Sequence, residues 1–143
     1  MMIMHNDKEL AACVLLATNA AWDVLCACAM LYAEYAVVDG DGPAWVGWLA
    51  DAHWGLWATE ADREHPVARL LFGTLTLQWG ATRLIGACMV PYVPPVVVLS
   101  TYAIEGLLLI ACACGGLMRP TRAFAAGLLS WAFLVALCVL IFV

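Results

Sequence analysis

The sequence predicts an all-α integral membrane protein, a four-helix bundle with an interfacial Trp-rich helix between the first two spans. Three observations lead there. Hydrophobic residues make up 66% of the 143 and charged residues only 12%, and mean hydropathy is +0.93. A soluble domain of this size has no interior large enough for so much apolar surface, so lipid must replace water around it. The apolar residues also gather into four runs, at about 10–37, 67–90, 93–118 and 122–143. A helix needs roughly 20 residues to cross the hydrocarbon, and each run has them. Finally, the links between the last three runs are short, which makes sequential neighbours antiparallel within one membrane domain spanning 1–143. Backbone groups in lipid must be paired within their own segment, so the runs are expected to be helices.

The first run carries Asn19, Asp23 and Glu34. Asp7, Lys8 and Glu9 precede it, without the short apolar region and small-residue cleavage site of a signal peptide. It is therefore expected to be a permanent span that doubles as a signal anchor. The connection after it opens with "VDGDGP" at 38–43, two Asp-Gly pairs and a proline, which reads as a turn. Trp45, Trp48, Trp54 and Trp57 then crowd one short segment. Tryptophan favours the membrane interface, where its ring is half apolar and its N–H stays wet. Residues 44–60 are expected to form a helix lying on the membrane surface, with Trp45, Trp48 and Leu49 on one face. A re-entrant or packed loop is the alternative.

The second run holds "FGTLTLQWGATRLIGA" at 72–87, with Gln78 and Arg83 among apolar neighbours. Pro91, Pro94 and Pro95 bracket the turn to the third run, which is interrupted only by Glu105. "GGLMRPTR" at 115–122 leads into the fourth run, which has no charge after Arg122. Arg63, Arg69, Arg119 and Arg122 flank one side of the bundle and Lys8 the other. Positive charges favour the cytoplasm, so both termini are expected on the lumenal or exterior side.

Ionisable groups within spans are costly and face a partner or a watery cavity. Measured from the turn between the second and third runs at about 1.5 Å per residue, Arg83 and Glu105 lie roughly 13 and 18 Å deep. Long side chains close that gap, so a salt bridge between them is expected. Asp23, roughly 20 Å into the first run, is the second candidate partner. Asn19 lies one turn away on Asp23's face. Gln78 lies at roughly 21 Å by the same measure. Asn19, Asp23, Gln78, Arg83 and Glu105 are thus expected to share one buried polar layer. Its role is either cohesion between helices, the reading favoured here, or binding and transport.

Several functions find no support in the sequence. The net charge is −5 with no basic patch, which disfavours nucleic acid and polybasic lipid binding. The seven cysteines are scattered through or beside apolar runs without a C-x-x-C pair, as expected of small apolar residues rather than a disulfide framework or metal site. His5, His53 and His65 fall outside the runs, so no haem-ligating pair projects into a bundle. No nucleophile–base set, phosphate loop or zinc motif is present. A non-enzyme without cofactor or metal is expected.

The stretch "ARLLFGTLTLQWGATRLIGA" at 68–87 resembles the signature of the ergosterol biosynthesis protein 28 family. The likeness lies in Ala68 and Arg69, then Phe72, Gly73, Thr74, Thr76 and Leu77, then Arg83. "LSTYA" at 99–103 is similar to the opening of that family's third span, and the likeness covers about 65–135. There are departures. An extra leucine follows Arg69, Leu75 stands for a tryptophan, and the family's histidine and acidic positions in the third span hold Leu108 and Cys112. The resemblance implies a small multi-span protein of the endoplasmic reticulum that tethers the membrane enzymes of sterol C-4 demethylation. The expected function is thus a non-catalytic membrane scaffold in lipid metabolism, with the bilayer and those enzymes as partners. The alternative is a small transporter, channel or lipid-binding bundle that uses the polar layer.

Overall fold

The computed structural model describes residues 7–35, 43–56, 66–89 and 94–143. Its elements are helices: α1 (Asp7–Tyr35), α2 (Ala44–Trp54), α3 (Pro66–Cys88), α4 (Pro95–Cys114) and α5 (Pro120–Phe142). The "VDGDG" stretch, Trp57, Arg63 and the 90–93 turn lie outside the described residues.

Local chemistry sets the helix ends. Proline begins α3, α4 and α5, where its fixed φ suits the first turn and its missing N–H costs nothing. Asp7 and Glu9 occupy the first turn of α1, the favourable end of the helix dipole for a carboxylate. The end of α4 is a Schellman turn. Gly116, at φ +73°, donates to Ala113 O at 3.2 Å, and Leu117 N–H reaches back to Cys112 O at 3.0 Å. Within the helices, Thr18, Thr74, Thr76 and Thr82 each donate to the carbonyl four residues back at 2.8–2.9 Å. These hydroxyls are satisfied without leaving an apolar environment.

Three helices are long and apolar enough to cross a membrane: α1 over Asp7–Tyr32, α4 and α5. Helix α3 is long enough but is not among them. Arg69, Gln78 and Arg83, with its threonines and glycines, dilute its hydropathy. Large apolar side chains stand exposed along the long helices, among them Val14, Leu25, Leu107, Leu128 and Val135. Such faces suit lipid rather than water.

The helices form two close pairs, α1 with α3 and α4 with α5. Glycines set both contacts. A Cβ built on Gly80 of α3 would lie 3.0 Å from both Asp23 Cβ and Val24 N of α1. One built on Gly106 of α4 would collide with the indole nitrogen of Trp131 on α5. As α3 runs from Gly73 to Gly80, its neighbours on α1 run from Leu31 back to Val24, so the two are antiparallel. Gly86 against Val98 with Arg83 bonded to Thr101, and Gly106 against Trp131 with Gly127 against Ile110, show the same for α3–α4 and α4–α5.

Helix α2 packs one face against the bundle. Val46, Leu49 and Ala50 are buried in a core with Cys26 and Met30 of α1, Phe72 of α3 and Leu109 of α4. Trp45 and Trp48 are more than 60% exposed, at 62% and 64%. Leu49 therefore departs from the tryptophan face on which the sequence reading placed it. An aliphatic side chain gains more from the dry core, whereas indole tolerates the wet face. Trp48 meets Trp22 of α1 edge-on at 5.9 Å. The turn before α5 docks on the residues that follow α2. Arg119 N–H donates to Leu56 O at 2.6 Å and Arg122 Nη1 to Gly55 O at 3.2 Å. The Trp-rich segment and the "RPTR" turn thus lie together.

Candidate functional site: a buried arginine between two carboxylates

Arg83 is 1% exposed, and it is the largest fully buried side chain described. Its guanidinium is shared among three helices. Nη1 donates to Asp23 Oδ2 of α1 at 2.5 Å and to Asn19 Oδ1 at 3.2 Å. Nη2 donates to Glu105 Oε2 of α4 at 2.6 Å. Nε donates to Thr101 Oγ1 at 3.0 Å. The expected salt bridge to Glu105 is present, and Asp23 is an equally close partner.

A second ring of contacts orients the first. Thr101 accepts from Arg83 and donates its own proton to Val98 O at 2.7 Å. Tyr102 donates to Asn19 Oδ1 at 2.7 Å. Ser130 of α5 donates to Glu105 Oε2 at 2.9 Å, which brings the last long helix into the network. The Arg83 guanidinium also sits 3.7 Å from the centre of the Tyr102 ring, a favourable cation–π geometry. Tyr102 in turn stacks on Phe133 at 5.9 Å.

Helix periodicity explains which residues arrive. Asn19 and Asp23 are one turn apart on α1, and Thr101 and Glu105 one turn apart on α4. Thr76 and Trp79, seven and four residues before Arg83, are buried on its face. Gln78 is not part of the layer. It is exposed, and the five-residue spacing to Arg83 turns it about 140° away around the helix. Depth along the axis takes no account of this rotation. Thr101, Tyr102 and Ser130 are members that depth reasoning missed. A signal existed: Thr101 and Tyr102 stand one turn before Glu105, and Ser130 is the lone polar residue in mid-α5.

The other motif residues line α3. Phe72, Gly73 and Thr76 are buried, Ala68, Arg69 and Leu77 half-buried, and Thr74 exposed. Of the tryptophans, the Trp54 side chain and Trp57 lie outside the described residues.

Chemically the site is a charge cluster of one guanidinium and two carboxylates. Among the described residues no three His, Cys, Asp or Glu side chains gather to hold a metal, and the seven cysteines are free thiols. Beside the cluster lies a cavity of about 240 Å³ whose lining includes Asp23, Glu105, Ser130 and the rings of Trp22, Trp79 and Phe133. Comparison with protein-family models, curated protein sequences and solved structures found no match to this chain.

Proposed function

We propose that this chain is a non-catalytic, four-span membrane scaffold of the endoplasmic reticulum. In this reading α3 is the fourth span. A lone buried arginine would bar it from lipid, but Arg83 meets its counter-charges inside the protein. The observation that carries the reading is the Arg83 network, in which α1, α3 and α4 contribute charged groups and α5 a hydroxyl. Such contacts hold membrane helices together. A bundle fixed in this way presents constant outer faces to partners.

The α2 and "RPTR" contact supplies one such face. Arg119 and Arg122 lie at that end of the protein, so the positive-charge preference assigns it to the cytoplasm and the termini to the lumen. Exposed Trp45 and Trp48 would meet either the interfacial lipid or a partner span. The partner class rests on the resemblance of 68–87 to the sterol C-4 demethylation tether.

Affinity purification from native membranes tests the proposal. Recovery of sterol C-4 demethylation enzymes, lost when the 68–77 stretch is scrambled, is the expected result. A specific solute flux in proteoliposomes that Asp23→Asn abolishes would overturn it in favour of a transporter.

A further inference from the structure

One guanidinium faces two carboxylates, an excess of one negative charge when all three groups are ionised. Asp23 ties Arg83 to α1 and Glu105 ties it to α4, yet together the two carboxylates exceed the charge of the one guanidinium. Each acid also keeps one oxygen in reserve. Asp23 Oδ1 and Glu105 Oε1 accept no hydrogen bond among the described residues. Neither is among the buried polar atoms that lack a partner, so both retain access to open space. Both residues also line the cavity of about 240 Å³.

The cavity sits between the two close helix pairs, with Ala52 and Leu56, from the α2 helix and its following turn, among its lining residues. Two carboxylates are the charged groups in its lining, and the rings of Trp22, Phe72, Trp79, Tyr102 and Phe133 share its walls with aliphatic side chains. The volume suits about eight waters at the liquid share of each, or an organic group of similar bulk. Aromatic faces attract cations, most strongly where water is scarce. Arg83 on the Tyr102 ring already shows that preference here. An anion would meet the excess negative charge, and a neutral alcohol would leave it uncompensated. A protonated amine supplies the missing positive charge, N–H donors for the two spare oxygens, and an apolar body for the rings.

We propose that the cavity is a binding site for a monovalent organic cation, an amine of about ten heavy atoms or the amine head of a larger amphiphile. Asp23 and Glu105 receive the ammonium, and Trp22, Trp79 and Phe133 hold its apolar part. This site is independent of the scaffold reading, since a chain that fails to recover sterol enzymes can still bind an amine.

The test uses the full-length protein in detergent, with radiolabelled 2-phenylethylamine as probe and 2-phenylethanol as the neutral competitor. Saturable amine binding, undisturbed by the alcohol, is expected. Glu105→Gln removes the excess charge and should weaken binding by about tenfold or more, the loss of one charge-assisted contact. Ala126→Leu fills the cavity without touching a charged group and should abolish binding even if Glu105→Gln folds poorly. Absence of saturable amine binding, equal competition by the alcohol, or full binding by Ala126→Leu would each overturn the proposal.

Discussion

Gly80 of α3 lies so close to Asp23 of α1 that a Cβ on the glycine would sit 3.0 Å from the aspartate Cβ. The same Cβ would sit 3.0 Å from Val24 N, which is backbone and cannot swing aside. Close approach and ion pairing therefore occur at one level of the bundle. Gly80→Val is expected to wedge α1 from α3 and lower the unfolding temperature by several degrees, a loss of about 2 kcal/mol from overpacking. Circular dichroism melts in detergent check this, and an unchanged melting temperature would show that the helices are free to separate there.

Gly106 poses the corresponding constraint between α4 and α5. A Cβ there would collide with Trp131 Nε1. The indole donates to Ala103 O at 3.5 Å, so displacing the ring also disturbs that contact. Gly106→Ala should destabilise by about 1–3 kcal/mol, and Trp131→Leu combined with Gly106→Ala should recover part of the loss. No recovery in the pair would mean that the ring is not what the added methyl meets.

The cluster predicts an order among its own variants. Arg83→Leu leaves two buried carboxylates facing each other and should be the most damaging, at about 3–5 kcal/mol. Asp23→Asn should rank second, because its carboxylate is the more buried of the two acids, at 6% side-chain exposure against 16% for Glu105. Glu105→Gln should be mildest, since it relieves the charge excess and still accepts from Ser130. Chemical unfolding of the three variants ranks them, and a reversed order would place the dominant pairing on Glu105.

The turn before α5 makes a local prediction. Gly116 has φ +73°, a conformation that costs an L-residue with a Cβ about 1–2 kcal/mol. Gly116→Ala should lower stability by about that amount, whereas Gly47→Ala, which meets nothing within 4 Å, should be neutral or slightly stabilising. Equal effects at the two positions would argue against the Schellman turn.

Much of this site was legible in the sequence, and the gaps have physical causes. Depth along a helix is linear in residue number, so the pairing of Arg83 with Glu105 and Asp23 follows from counting residues. Asn19 follows from the spacing of one turn. Gln78 fails because depth ignores rotation about the axis. Tyr102 and Ser130 offered only a signal of position, because hydroxyl groups are ordinary in membrane helices and announce no charge. The fate of Leu49 depended on how α2 docks against Met30 and Leu109, a contact between segments far apart in the chain. Hydropathy alone also ranks α3 below the other long helices, because the residues that build the polar layer are the ones that make it less apolar.

The most direct measurement is a double-mutant cycle between Arg83→Leu and Asp23→Leu, read as unfolding free energy in detergent. If Arg83 holds the helices together through its carboxylates, the two changes are coupled. The double variant is then more stable than the sum of the single losses by about 1 kcal/mol or more, because it leaves one fewer uncompensated buried charge. Losses that add to within about 0.3–0.5 kcal/mol would contradict the claim and reduce the buried arginine to a bystander among apolar contacts.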